Sequence, residues 1–277
     1  MHGNDAPAEA VAAPDPADDA VLRTISVERY VTPLREGGSL PAIVEGDDLG
    51  LYVLKFRGAG QGPRALVAEA IAGAIARALG LQVPEIVVAD LDPMLARTEP
   101  DPEIQDLIRA SAGLNLALDY LPGAATFDPV VDAVSGDLAS RIVWFDAFVS
   151  NVDRTARNSN LLTWHRRLWL IDHGAALYFH HSWDGSSDAA AEPFRLIRDH
   201  VLLALADRIA VVDAELATRL SPALFTAIVA AVPDDWLLHD GAAATDVIGR
   251  RAAYVGYLSR RLAERSLFVE EAIRARG

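Results

Sequence analysis

A chain of 277 residues, 51% apolar and 23% charged, can bury a sizeable core, as one domain with two lobes or as two small domains. Its net charge of −14 disfavours nucleic acid as the main partner and simple electrostatic docking on an anionic membrane. The absence of cysteine excludes disulfides, thiol catalysis and thiolate metal sites, and no apolar run is long enough to span a membrane; both fit a cytoplasmic protein.

Residues 1–20 are rich in Ala, Pro, Asp and Glu without an apolar period, which predicts a disordered tail and no secretory signal. A small β-rich part follows. It has a strand around Ala42–Val44, a turn over Glu45–Gly50, a strand at Leu51–Phe56, a helix over about Pro63–Leu79 and a strand near Glu85–Val88. The acidic, proline-containing residues 90–103 interrupt the pattern. Leu114–Leu121 then reads as a strand ended by Pro122-Gly123.

Two charges in this part demand partners. Lys55 is the only lysine of the chain and lies inside an apolar strand pattern, where an unpaired charge is costly. A compact ammonium on a flexible stem suits a point contact to phosphate oxygens. In the following helix, Val67, Ile71, Ile75 and Leu79 form the apolar stripe. Glu69 falls on another face, beside Ala65, Ala72, Gly73 and Ala76, which allow close approach of another element. No base stands at i±3 or i±4, so a tertiary partner is expected, with Lys55 the natural candidate.

From Asp137 the chain reads as mainly helical, with one exception. After the apolar run Ile142, Val143, Phe145, Phe148 and Val149 comes the polar loop of Asp153 and Asn158, then two short apolar strands around His165-Arg166-Arg167. A turn pairing Trp164 with Leu168 places Asn160 opposite Asp172, with Asn158 a diagonal step away, within roughly 5–8 Å. An amide and a carboxylate at a strand end make a hard-oxygen site suited to Mg²⁺, with Asp153 placed to accept a hydroxyl proton. Capping and turn roles are the plain alternative for each residue alone. A polar loop follows at Asp184–Pro193. Residues 195–232 and 242–276 carry helical apolar patterns. His180-His181 with His173 lack the spacing of a metal set, because adjacent side chains diverge in regular structure.

These motifs resemble those of HipA-like kinases, with a more distant likeness to phosphatidylinositol kinases. The matching pieces are Asn151-Val152-Asp153-Arg154, Asn158-Ser159-Asn160-Leu161-Leu162, Ile171-Asp172-His173-Gly174, the strand of Lys55 and the helix of Glu69. The resemblance implies an α+β, bilobal, protein-kinase-like fold. Its N-lobe (21–121) would be nucleotide-binding, and its helical C-lobe (122–277) would carry a metal-site hairpin. It implies ATP and Mg²⁺ as cofactors, Asp153 as the catalytic aspartate, and Asn158 and Asp172 as metal ligands. Lys55 and Glu69 would be the phosphate-positioning pair, and Asp119, Tyr120 and Leu121 the hinge that meets adenine. The acceptor is an unidentified hydroxyl, by analogy a protein serine or threonine.

The sequence departs from ordinary protein kinases. Before the lysine strand stands only Arg35-Glu36-Gly37-Gly38-Ser39; a second glycine run, Gly58–Gly62, comes after it. Either can cover phosphates through backbone N–H groups or be a simple loop. Asp172-His173-Gly174 replaces Asp-Phe-Gly. Arg154 is open between charge stabilisation and a surface role. A nucleotide-binding pseudokinase or scaffold, a kinase of a lipid or small-molecule hydroxyl, and a phosphohydrolase using Asp153, Asp172 and His173 remain as alternatives.

Overall fold

A computed structural model describes residues 22–34, 40–60, 62–181, 188–238 and 246–277. The expected tail at 1–20, the first glycine run at 35–39 and residues 184–187 of the polar loop Asp184–Pro193 lie outside the described residues.

Five strands close a barrel: β1 (Thr24–Pro33), β2 (Ala42–Gly46), β3 (Leu51–Lys55), β4 (Ile86–Leu91) and β5 (Gly113–Asp119), in the order β1-β2-β3-β5-β4. All pairings are antiparallel except β1 with β4, which are parallel and complete the barrel. Alternation along β4 sorts its side chains. Val87, Ala89 and Leu91 join the barrel interior with Ile25, Val44 and Leu54, while Ile86 and Val88 belong to the second core outside it. The helix α1 (Pro63–Ala78) packs on that outer face. A Cβ at Gly73 would come within 2.3 Å of Ile86 Cδ1, so only glycine permits this approach of helix to strand.

The segment expected to be an interruption is structured. Pro93–Thr98 is a 3-10 turn capped by Asp92, and α2 (Pro102–Ala110) starts where Asp101 accepts Glu103 N–H. Ile104 and Ile108 of α2 are buried in the barrel cluster.

The remainder is built around α3 (Gly136–Val149), which follows a two-residue strand, β6 (Ala125–Thr126). Ser135 caps the start of α3, and Ser150, at φ 53°, ends it. The hairpin of β7 (Leu161–Trp164) and β8 (Arg167–Leu170) joins β6 in a three-stranded sheet. Its register differs from the expected one. Trp164 pairs with Arg167, so the loop is His165-Arg166 alone, both at positive φ. Such two-residue turns match the strand twist, which a three-residue loop does not do without a bulge. Asn160 consequently faces Ile171, whose N–H it accepts at 3.1 Å, rather than Asp172.

Beyond the hairpin, residues 195–205 form two 3-10 turns instead of the expected helix. Then come α4 (Ile209–Thr218), α5 (Pro222–Ala231), the single turn α6 (Asp234–Leu237), α7 (Asp246–Ala263) and α8 (Ser266–Arg276). Arg261 of α7, itself buried, donates to the carbonyls of Ala147 and Phe148 at the end of α3. Among the described residues no single helix is long and apolar enough to cross a membrane; α4 and α5 pass that test only as a pair bent by 74°.

Candidate active site

Lys55 ends β3 with its ammonium between two carboxylates. Nζ lies 2.6 Å from Glu69 Oε2 and 2.7 Å from Asp172 Oδ1. Glu69 is wholly buried on α1, Lys55 is 17% exposed, and Asp172 is half exposed, so the trio opens to solvent on the aspartate side. Burial pushes the Lys55 ammonium down, but Glu69 and Asp172 outweigh it and raise its pKa. Burial likewise pushes the Glu69 carboxyl up, yet the Lys55 charge and the His173 hydrogen bond hold it below the usual carboxylate range. Asp172 follows β8 at φ 56°, a left-handed backbone that aspartate tolerates better than most residues.

Asp153 and Asn158 form a second group. Asp153 Oδ2 accepts from Asn158 Nδ2 at 2.9 Å, and Asn160 Nδ2 bonds the Asp153 carbonyl at 3.0 Å. No side-chain bond joins Asn158 to Asp172. The two groups meet through Asn160, which holds Asp153 with its side chain and receives Ile171 N–H on its carbonyl.

Beneath this loop sits a buried hub that sequence reasoning missed. Asp146 accepts from Arg154 Nε at 2.6 Å, from Asn151 Nδ2 at 2.8 Å and from His200 Nε2 at 2.9 Å. Asn151 Oδ1 in turn receives Asp153 N–H, and Arg154 donates to the Asn160 carbonyl. His200 Nδ1 accepts Leu202 N–H, so the ring proton sits on Nε2 and points at Asp146. Burial pushes the Asp146 carboxyl up; the Arg154 charge and the His200 bond more than reverse this and hold it well below the usual range. Arg154 is therefore not a surface residue: its Nε and Nη1 are bonded inside the hub, and only its buried Nη2 lacks a partner. It ties both ends of the loop to α3. The clue in the sequence was an aspartate inside the apolar α3 pattern.

A model of the HipA-like kinase family matches residues 27–263. The chain belongs to the HipA-like kinase family. Among solved structures, the Helicobacter pylori proinflammatory kinase CtkA is similar at TM-score 0.51 and 13% identity, over 91% of this chain and 99% of CtkA. At that identity the likeness concerns the fold, which is kinase-like. The Golgi casein kinase, in a structure with Mn and ADP bound, is similar at TM-score 0.48 and 12% identity, over 92% of this chain and 75% of its own. No curated protein sequence matches.

In this HipA-like kinase the remaining candidates fall as follows. Asp119 N–H is given to Glu85 O at 2.8 Å and Tyr120 N–H to Leu51 O at 2.9 Å. Of these three amides, expected to form a hinge, only that of Leu121 has no hydrogen bond among the described residues. The Gly58–Gly62 run is also largely committed. Arg57 N–H goes to Asn115, Gly58 N–H to Ser111, Ala59 N–H to Phe56 and Gly62 N–H to Ala59. Those four donors anchor the start of α1. His180 Nε2 faces His181 Nε2 at 3.2 Å, because a 3-10 turn brings together rings that a strand would separate. His180 Nδ1 also meets the Tyr254 hydroxyl, and His173 is turned to Glu69. Among the described residues no three His, Asp or Glu side chains cluster as metal ligands. His173, one of the three residues of the phosphohydrolase alternative, is fully buried, while Asp153 and Asp172 are partly exposed.

Proposed function

We propose that the chain is an ATP- and Mg²⁺-dependent phosphotransferase moving a γ-phosphoryl group to a hydroxyl, with a protein serine or threonine as acceptor. The observation that carries this reading is the Lys55 ammonium held between Glu69 and Asp172, residues 14 and 117 positions away in sequence. A structural ion pair needs one partner. A lysine shared between a buried glutamate and a half-exposed aspartate keeps a cation at the mouth of the site, ready for phosphate oxygens.

The donor chemistry fits a hard cation. Asn158 gives its amide nitrogen to Asp153, which leaves Oδ1 available, and Asp172 uses only Oδ1 on Lys55. Asn158 and Asp172 are thus the residues that would hold Mg²⁺, whose charge, when bound, offsets that of the phosphate oxygens. Lys55, oriented by Glu69, binds phosphate oxygen. Asp153 has Oδ2 fixed by Asn158 and Oδ1 left to orient an acceptor hydroxyl and take its proton. Leu121 N–H is the backbone donor offered to the adenine, just after β5 of the barrel and before the helical part.

The test is transfer of labelled phosphate from Mg·ATP to mixed Ser/Thr peptides, for wild type and Asp153→Asn. The expected result is transfer by the wild type and a loss of about 10²–10⁴-fold in the variant, with nucleotide binding kept. Nucleotide binding without transfer in the wild type would instead favour the pseudokinase alternative. That alternative draws support from the committed amides of Gly58, Ala59 and Gly62.

A further inference from the structure

His173 has no part in the chemistry above, yet its ring is wholly buried against the site. Nδ1 lies 3.3 Å from Glu69 Oε1, and the ring meets Phe145 edge-on at 5.7 Å. A carboxylate only accepts, so Nδ1 carries the proton and donates it. Glu69 thereby splits its two oxygens, Oε2 to Lys55 and Oε1 to His173. Lys55 holds Asp172, the residue bonded to His173. Three side-chain contacts and one peptide bond close a ring through Lys55, Glu69, His173 and Asp172. The helix packs directly on this segment. A Cβ at Gly174 would lie 3.5 Å from Ala65 Cβ and 3.7 Å from Glu69 Oε2.

The geometry points to His173 as a positioning residue: its Nδ1–H fixes the Glu69 carboxylate that orients Lys55, and so joins α1 and Asp172 into one conformational unit. The catalytic meaning rests on the kinase reading above. A carboxylate bonded only to a flexible lysine can turn about its last torsion; one held at both oxygens cannot. Glu69 cannot leave Lys55 by movement of α1 without also breaking from the residue next to Asp172. Where protein kinases place a phenylalanine after the metal aspartate, this chain makes a polar link instead.

Two substitutions separate this role from packing. His173→Phe keeps a ring against Phe145 and removes the donor. His173→Asn keeps a donor near the Nδ1 position and gives up the ring. We expect His173→Asn to retain turnover within about threefold, and His173→Phe to lose about tenfold or more in kcat with a smaller change in KM for ATP. Melting of wild type, His173→Phe, Glu69→Ala and the double variant checks the contact without any turnover. The expected drop for His173→Phe is about 2–4 °C with Glu69 present and less than half of that in the Glu69→Ala background, where the acceptor is gone. Additive melting shifts, or a His173→Phe variant with wild-type kcat, would overturn the inference. Wild-type protein without phosphate transfer would sink the functional reading, while the melting cycle would still decide the link.

Discussion

Arg154 and Asp146 meet at 2.6 Å with neither side chain exposed to solvent. They are eight positions apart in sequence, one in α3 and the other in the loop that carries Asp153, and their pairing fixes that loop to the helix. Removing one member of such a pair leaves an uncompensated charge in the interior. Asp146→Ala is expected to cost about 3–5 kcal/mol of stability, read from the urea midpoint. A loss under about 1 kcal/mol would mean that the hub does not anchor the loop.

The same carboxyl sets a pH dependence. Its folded pKa lies below its unfolded value, so its contribution is complete above about pH 4–5 and fades as pH falls toward the folded pKa. The stability gap between wild type and Asp146→Asn should therefore narrow on acidification from pH 6 to about pH 3. A constant gap over that range would contradict the assignment. Glu69, depressed for a similar reason, adds to the acid sensitivity of both proteins.

At the hairpin, His165 and Arg166 both occupy positive φ, at 47° and 62°. An L-residue there bears about 1–2 kcal/mol of steric cost, against about 0.5–1 kcal/mol for the unfolded-state freedom of glycine. Arg166→Gly should thus stabilise the protein by about 0.5–1 kcal/mol, visible as a higher melting temperature. A lower one would place the turn in another conformation.

Lys55→Met removes the cation from between Glu69 and Asp172. Phosphate transfer is expected to fall by about 10²–10³-fold, the scale of a lost electrostatic donor. The melting temperature should drop as well, because Glu69 is left buried beside His173 alone. Wild-type turnover in this variant would remove Lys55 from the site.

The contact between Lys55 and Glu69 was legible because each residue broke its local pattern: a sole lysine in an apolar strand, and a glutamate on a helix face of small residues. The family was legible in Asn151–Asp153, Asn158–Leu162 and Ile171–Gly174, and its model spans most of the chain. What escaped depends on residues distant in sequence. Asp146 sits inside an apolar helical run, and His200, which contacts it, lies 54 positions on, beyond the reach of periodicity. The hairpin register slipped by one because Arg167 reads as polar turn although it pairs with Trp164 in the ladder. β1 alternates buried and exposed residues only over Thr24–Glu28; register shifts at Val27/Arg29 and Tyr30/Thr32 then break the alternation and blur the strand signal. The helix α2 was hidden by the prolines before it, although Asp101-Pro102 is an ordinary cap and first-turn pair.

The most direct measurement is thermal unfolding of wild type and Asp172→Ala with millimolar ATP, with and without Mg²⁺. A ligand that binds the folded state raises apparent stability by mass action, by about 2.7 kcal/mol at a hundredfold excess over Kd. The expected result is a Mg²⁺-dependent rise in the wild type that is lost in Asp172→Ala. No rise in the wild type, or an equal rise in both proteins, would contradict a nucleotide–metal site built on Lys55, Asn158 and Asp172.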